Sequence, residues 1–408
     1  LVLDEAKRYG AAADRLLKVA RTEYELGNDA AALEFYQQAL TKFSAANNKR
    51  SLGYTLHNIA NIYYGQGDYA QALRHYQMIL KAEEAAGTRD GAASAWQGIG
   101  QVHSLNGNYR LALNAYQENL KIVRALANKA DEAAALQRVA GAHFVLAEYP
   151  QALDIYRAAL VLRQELNDQQ DAAAALLDVG MTLAALNDSV GALQHYEQSR
   201  ALFAAVSNQS GVAMALLGIS QLSFARNDFA QAIEWADQAA VAAKQADDKD
   251  LLWQARQRIG RANFKLQKLD LARTALTEAI AIVETLRPQS PRAQQPRFYE
   301  SKLAPFWAMV DVAIAQGKGN DAYDYVQRAK ARKEIGKRFC NRIGVRDHHG
   351  HHDPGQVGDQ LGGDRRGRGW PGRRAARRRG RPELPRPAAR RPRRHRGPRQ
   401  RRRHGTGG

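Results

Sequence analysis

The fold of this chain is decided by GDYAQALRHYQMIL at residues 67–80, which returns forty residues later as GNYRLALNAYQENL at residues 107–120. The glycine, both tyrosines and the Ala-Leu pair keep their places in the two copies. A tyrosine recurs at the same step along much of the chain, at Tyr36, Tyr76, Tyr116, Tyr156 and Tyr196. A fixed period of this length predicts stacked supersecondary units. It favours a binding surface over a globular core built around a catalytic pocket.

Small residues recur with the same period, and they explain how helices of successive units can pack. One column reads Ala20, Ala60, Gly100, Ala140, Gly180, Ser220 and Gly260. We expect these residues to let facing helices approach closely, and the tyrosines to fill the space between one unit and the next. Within a unit, apolar residues at three- and four-residue steps predict two helices. Gly67 is expected to end the first of them in the left-handed conformation.

The charge of the chain is concentrated at one end. The sequence has 408 residues and a formal net charge of +19, but residues 342–408 carry 21 arginines against five acidic residues, a net +16. The rest of the chain is nearly neutral, at +3. A hydrophobic content of 45% excludes a wholly disordered chain. The single cysteine, Cys340, excludes an intrachain disulfide.

Two features bear on location. No apolar run of about 18 residues is present, so no membrane-spanning segment is predicted, and no signal segment opens the chain. We therefore expect a cytoplasmic protein. The chain opens with Leu1, and residues 1–10 match the end of a preceding unit, which indicates a start inside an array.

The order Gly-x-Tyr, Ala-Leu, Tyr and Leu, carried by Gly67-Asp68-Tyr69, Ala72-Leu73, Tyr76 and Leu80, resembles the tetratricopeptide repeat (TPR). The usual period is about 34 residues, and longer helices account for forty here. The resemblance implies an all-α fold, a TPR-like right-handed superhelical solenoid of about eight helical hairpins. The composition of the end of the chain predicts that a disordered Arg-rich tail follows it. An armadillo or HEAT solenoid has a similar period, but it is not expected to show the Gly-x-Tyr signature.

The register of the repeat predicts four segments. They are a TPR array of seven forty-residue units at 1–286, an insertion loop at 287–296, an eighth helical hairpin or cap at 297–336, and a disordered, basic, low-complexity tail at 341–408. The tail is rich in residues with GC-rich codons, which favours a shifted reading frame in a GC-rich gene. The rival interpretation is a genuine disordered basic tail.

The stretch Gln327-Arg328-Ala329-Lys330-Ala331-Arg332 carries a second resemblance. It is similar to the end of the last repeat in bacterial proteins that join TPRs to a caspase-like CHAT domain. The resemblance implies the recognition or regulatory arm of a CHAT peptidase. The CHAT domain itself is not recognisable here, and Cys340 has no flanking motif of its Cys/His dyad. No phosphate loop, metal-ligand spacing or Ser/His/Asp constellation stands out, so we predict no enzyme, catalytic residue, cofactor or metal.

The tail offers two weaker candidate sites. Its arginine runs, such as Arg377–Arg379 and Arg401–Arg403, could contact several phosphates of a nucleic acid. Trp370 is its only aromatic residue, so no reading of bases is predicted. A histidine tract at His348, His349, His351 and His352 could bind metal adventitiously. We therefore expect nucleic-acid binding through the tail alone, and consider it the lesser possibility.

The groove of the array is the main candidate site. In TPR folds the first helix of each unit lines a concave surface, and mapping its ligand-facing positions onto this chain gives two rows. The first row is Arg21, Asn61, Gln101, Gln221 and Arg261, and the second is His57, Gln97, Gln137 and Gln257. Their amide and guanidinium groups can hydrogen-bond a peptide backbone or carboxylates; the alternative is an ordinary solvated helix face.

A carboxylate clamp of the chaperone type, which binds acidic C-termini, is not predicted in this groove. Such a clamp needs Lys and Asn at set positions. Asn58 and Asn61 match part of it, whereas Leu17, Ser94 and Gly98 do not. The function predicted from sequence is a protein–protein interaction scaffold that binds a protein or peptide partner on the concave TPR surface. The alternatives are the CHAT-linked recognition arm and nucleic-acid binding through the tail.

Overall fold

The structure is a computed structural model that describes residues 2–86, 89–286 and 302–342. The chain divides into two units, Leu1–Asp347 and His348–Gly408, and every described residue belongs to the first. The insertion predicted at 287–296 lies outside the described residues, and so does the predicted tail apart from residues 341–342. The domain boundaries drawn from the sequence stay predictions.

Within the described ranges the chain forms sixteen α-helices and no strand, which confirms the predicted all-α fold. In chain order they are α1 (Val2–Glu25), α2 (Asp29–Ala45), α3 (Lys49–Gln66), α4 (Tyr69–Ala86), α5 (Asp90–Leu105), α6 (Tyr109–Ala125), α7 (Lys129–Val145), α8 (Tyr149–Glu165), α9 (Gln169–Ala185), α10 (Ser189–Ala205), α11 (Gln209–Ala225), α12 (Phe229–Gln245), α13 (Lys249–Lys265), α14 (Leu269–Thr285), α15 (Ala304–Ala315) and α16 (Gly319–Arg342). No helix of the described residues is both long enough and apolar enough to cross a membrane.

The helices form a solenoid, because each packs against the helix before it and the helix after it. Among the described residues, the appreciable contacts between helices two places apart all join odd-numbered helices: α3 with α5, α9 with α11, α11 with α13, and α13 with α15. The odd-numbered helices of successive pairs therefore lie closer together than the even-numbered ones. This spacing puts the odd-numbered helices in the inner layer of the stack.

Left-handed turn residues set the length of the helices. At the end of α3, Gly67 has a φ of 78°; its N–H donates to the carbonyl of Tyr64, and the N–H of Asp68 donates to the carbonyl of Tyr63. Both bonds satisfy carbonyls that the helix end leaves open. The predicted left-handed glycine is thus confirmed. Outside glycine, a positive φ occurs at Asn47, Ala127, Ala147, Asn167, Asn187, Ser207, Asn227, Asp247 and Gln267.

The residue after each such turn often starts the next helix. Asp188 accepts a hydrogen bond from the backbone N–H of Gly191 at 2.9 Å, and Asp248 accepts one from Leu251 at 2.9 Å. Side-chain caps of this kind satisfy an N–H that the first helical turn leaves unpaired. The same bond is made by the caps Asn48, Asn128, Asp168, Asn208 and Asp228. Turn and cap together fix where one helix ends and the next begins.

The tyrosine column packs as the repeat predicts. Tyr196 of α10 is buried and lies between Gly180 of its own unit and Gly218 of the next. A Cβ atom at Gly180 would lie 2.8 Å from the ring, and one at Gly218 would lie 2.7 Å from it. Both distances are shorter than any real carbon contact, so only glycine allows the ring and the two helices to come together. The prediction that the tyrosines fill the space between units is confirmed here.

The last helix pair continues the stack. Phe306 and Met309 of α15 are fully buried, and they join Leu276 of α14 in one apolar cluster. Arg328 of α16 forms an ion pair with Glu284 of α14 at 2.7 Å. The stretch that resembles the end of CHAT-linked arrays thus takes part in packing this pair onto α14.

Candidate functional site

All nine groove residues predicted from the sequence lie on odd-numbered helices. We call the inner face the stripe formed on each of these helices by the positions equivalent to Tyr54, His57, Asn58 and Asn61, which lie on one side of the helix because positions three and four apart are neighbours there. Arg21, Gln221 and Arg261 are exposed on it, and the other six predicted residues are partly buried. The structure brings the two rows onto one surface. Their role in binding stays a prediction.

The first part of the inner face is partly used by the fold itself. Arg21 of α1 pairs with Glu25 of its own helix at 2.9 Å, and both side chains are exposed. The amide oxygen of Asn61 accepts a hydrogen bond from the hydroxyl of Tyr76 at 2.8 Å. Burial lowers the pKa of His57, and its Nδ1 atom has no hydrogen-bond partner among the described residues. Of this group, Arg21 is the residue most open to a ligand.

The middle of the inner face holds an acid in an unusual state. The Asp178 side chain of α9 is partly buried and hydrogen-bonds the amide of Gln137, which comes from α7 two helices earlier. Burial raises the pKa of the Asp178 carboxyl to about 7, although the Gln137 hydrogen bond acts in the opposite direction. Burial disfavours the charged form of an acid. The carboxyl can therefore be neutral or charged near neutral pH.

The last part of the inner face is a basic pocket between α11 and α13. It is lined by Ser220, Gln221, Phe224, Arg258 and Arg261. The Nη1 atom of Arg258 donates a hydrogen bond to Oε1 of Gln221. The guanidinium of Arg261 lies 5.1 Å from the centre of the Phe224 ring, a distance typical of a cation–π contact. We call this set of five residues the arginine pocket.

The charge of Arg258 is not balanced within the fold. Its guanidinium is partly buried, and among the described residues no Asp or Glu pairs with it. Burial, together with the neighbouring charge of Arg261, lowers the pKa of Arg258 to about 10. In the next inner helix, burial raises the pKa of Asp311, which the charge of Arg261 lowers in turn. Arg258 remains protonated at neutral pH.

Comparison with known proteins supports the repeat. Two family models, each described as tetratricopeptide repeat, match residues 16–45 and residues 51–125. This chain is a tetratricopeptide-repeat protein. None of the curated proteins compared with the TPR chain matches it. The resemblance to CHAT-linked arrays stays a prediction from the sequence.

Solved structures with the same fold cover most of the TPR array. They include the apo form of RapI, at 14% identity and a TM-score of 0.54, covering 70% of this chain and 99% of that one. A Rap protein complexed with Competence and Sporulation Factor has 15% identity and a TM-score of 0.50, with 84% and 99% covered. A STAND protein with a tetratricopeptide repeat sensor, from Pyrococcus horikoshii, has 12% identity and a TM-score of 0.55, with 82% and 52% covered. At these identities the likeness is one of fold.

The TPR inner face also contains residues that the sequence analysis passed over. Asp178 and Arg258 occupy the column of Asn58, which was read only for its match to a chaperone clamp. Met181 and Met214 are 43% and 37% exposed on the same face, so they add apolar surface between the polar groups. Comparing the charged residues at equivalent positions of successive units would have identified Asp178 and Arg258 from the sequence. The exposure of the methionines depends on packing that the sequence does not show.

Proposed function

We propose that the TPR array is a protein-interaction module whose inner face binds a protein segment or peptide. Stacked helical repeats create extended concave surfaces of the kind that such proteins use for binding. The bound segment would lie across the odd-numbered helices. Amides of the two predicted rows would bond its backbone, and exposed Met181 and Met214 would contact its side chains.

The observation that carries this proposal is the pair of polar bridges between successive inner helices. Gln137 of α7 bonds Asp178 of α9, and Gln221 of α11 bonds Arg258 of α13. Each bridge holds polar groups at a junction between units, where a chain crossing the helices would pass. An amide has two donor hydrogens and two acceptor lone pairs, and a guanidinium has five donor hydrogens. Each bridge therefore retains hydrogen-bonding capacity for a ligand.

Selection of binding peptides tests the proposal without a known partner. The full chain is used to select binders from a library of random linear peptides, and the affinity of each selected peptide is then measured. Met181→Arg and Gln101→Arg place bulky charges on the inner face. We expect each to weaken binding about tenfold or more, which is about 1.4 kcal/mol.

Matched control variants carry the same change on even-numbered helices. Val161→Arg of α8 and Gln117→Arg of α6 alter exposed positions, and we expect them to bind the peptides as the native chain does. Circular dichroism melts are used to check that all four variants fold. If the controls lose binding while the inner-face variants retain it, the ligand surface lies on the even-numbered helices and the proposal is wrong.

The two alternatives drawn from the sequence gain no support beyond it. The CHAT-linked arm rests on a resemblance at residues 327–332. Nucleic-acid binding rests on arginine runs that lie outside the described residues. Both stay predictions.

A further inference from the structure

The arginine pocket stands out on the inner face because two arginines lie side by side in it and, among the described residues, neither forms an ion pair. Two other buried or partly buried arginines of the array have acidic partners, although Arg138 and Arg200 form no ion pair among the described residues. Arg163 pairs with Asp168 at 3.3 Å and with Asp171 at 2.9 Å. Arg256 pairs with Asp237 at 3.4 Å and with Glu278 at 2.9 Å. These carboxylates offset the loss of water around each guanidinium.

Arg163 and Arg256 have acidic neighbours, whereas the charged neighbour of Arg258 is a second cation, Arg261. Arg261 follows it by three residues on α13, and side chains at this spacing are neighbours on a helix. The oxygen of Gln221 and the ring of Tyr196 are uncharged partners for Arg258. Asp311 of α15 interacts with the charges of Arg261 and Lys265, but among the described residues it forms no ion pair with either. A partly buried charge without a counterion is unfavourable, so an incoming anion would be stabilised here.

The pocket is a small cleft whose lining includes the N–H donors of two arginines. Gln221 accepts a hydrogen bond from one of the five donor hydrogens of Arg258, and within the described ranges Arg258 donates no other side-chain hydrogen bond. The guanidinium of Arg261 stacks on the Phe224 ring, which limits its motion beside the guanidinium of Arg258. Two neighbouring guanidinium groups offer N–H donors that can pair with the two oxygens of a carboxylate.

We propose that the arginine pocket binds a carboxylate of the protein segment or peptide on the inner face, with Arg258 as its partly buried partner and Arg261 as its exposed one. The inference rests on the proposed function, and it names one chemical feature of the ligand. It places the acidic group at the junction of α11 and α13, whereas the clamp considered from the sequence lay at Leu17, Asn58, Ser94 and Gly98. The segment therefore has its acidic group near the later units of the array.

The test compares peptides selected by the native chain with those selected by Arg258→Gln and Arg261→Gln. We expect peptides selected by the native chain to be enriched in Asp or Glu, or to end in a free carboxylate. Peptides selected by the two variants should lose this enrichment. Arg261 is exposed, so Arg261→Gln keeps the test valid if Arg258→Gln perturbs folding. Arg157→Gln removes an exposed arginine from α8 and serves as the control.

A double-mutant cycle on one selected peptide measures the contact directly. The peptide is synthesised with each Asp or Glu changed to Asn or Gln, and with its C-terminus either free or amidated. We expect Arg258→Gln to weaken the acidic peptide about tenfold or more and to leave the peptide without its acid almost unchanged. The two chemical changes tell whether the carboxylate belongs to a side chain or to the chain end.

The outcomes separate this inference from the proposed function. If selected peptides lack acids, or if both arginine variants bind them as tightly as the native chain does, the carboxylate pocket is wrong. Sensitivity to Met181→Arg would then still support the inner face as the binding surface. If no selected peptide depends on the inner face at all, the proposed function fails and this inference fails with it.

Discussion

The junctions between units and the inner face of the same helices follow opposite rules. At the junctions the same kind of contact returns in five successive units, as a tyrosine against small residues, before Ala236 and Leu276 replace the tyrosine. On the inner face one column reads Lys18, Asn58, Gly98, Arg138, Asp178, Gly218 and Arg258, and neighbouring units rarely repeat a residue. Its two glycines also make room for the tyrosine rings of the junctions. Packing must be repeated because each unit rests on the next. Ligand contacts need not repeat, because a bound segment presents a different group to each unit.

The largest effect we expect comes from breaking a junction. A Cβ atom at Gly100 of α5 would lie 2.4 Å from the buried ring of Tyr116. Gly100→Leu must therefore displace the ring or separate the helices. We expect it to lower the free energy of unfolding by about 3 kcal/mol, near the upper end of the usual range for overpacking. Urea titration of both proteins measures the difference.

Gly65 of α3 provides a control for the same substitution. A Cβ atom there meets no other atom within 4 Å, so Gly65→Leu adds a side chain without a clash. We expect stability to be unchanged or slightly higher, because leucine forms helix better than glycine. An equal loss of stability in both variants would mean that the close approach at Gly100 is not what limits the junction.

The second effect concerns a residue of the inner face, Asp178. The raised pKa of its carboxyl, about 7, lies above the ordinary value for an acid, so ionisation of Asp178 destabilises the folded chain. Ionisation of Asp178 does not affect the free energy of unfolding below about pH 4, where the carboxyl is protonated in both folded and unfolded chains. It lowers stability progressively as the pH rises to about 7 and is constant above that. We expect a loss of about 2 kcal/mol, allowing for its remaining contact with solvent.

Asp178→Asn isolates this contribution. Asparagine keeps a partner for Gln137 but cannot ionise, so the variant should lose less stability than the native chain between about pH 5 and about pH 8. Urea titrations of both chains at the two pH values give the comparison. Equal pH dependence would show that Asp178 ionises normally and that solvent reaches it freely. The same change at exposed Asp154 of α8 is a suitable control.

The difference between junction and inner face also decides what the sequence could predict. A requirement repeated in every unit leaves a column, so the tyrosines and Gly100 could be identified without a structure. Asn61 was predicted to face a ligand, but the structure shows that Tyr76, from the next helix, already donates to it. The pairing of Asp178 with Gln137 and of Arg258 with Gln221 joins residues about forty positions apart. No repeat marks those pairs, because each occurs once.

The turns combine a repeated backbone conformation with a variable residue type, and substitutions there should have the smallest effect on the free energy of unfolding. Among the described residues, the turns between helices contain a left-handed residue, yet only some units use glycine for it. Ala147 has a φ of 59° between α7 and α8, whereas Gly27 has a φ of 80° between α1 and α2. The left-handed conformation costs a residue with a Cβ atom about 1–2 kcal/mol. Glycine avoids that cost but loses about 0.5–1 kcal/mol more conformational entropy on folding. Ala147→Gly should therefore raise the free energy of unfolding by about 0.5–1 kcal/mol.

Gly27→Ala is the reciprocal change, and a Cβ atom there meets nothing within 4 Å. We expect it to lower stability by a similar amount, about 0.5–1 kcal/mol, through backbone strain alone. Thermal and urea unfolding of the two variants against the native chain measure both signs. Changes of opposite sign in the free energy of unfolding would show that both turns require a left-handed residue, although one has alanine and the other glycine. If Ala147→Gly instead destabilised the array, the methyl group of Ala147 would have to make a stabilising contact, and this turn would belong with the locally specialised positions of the inner face.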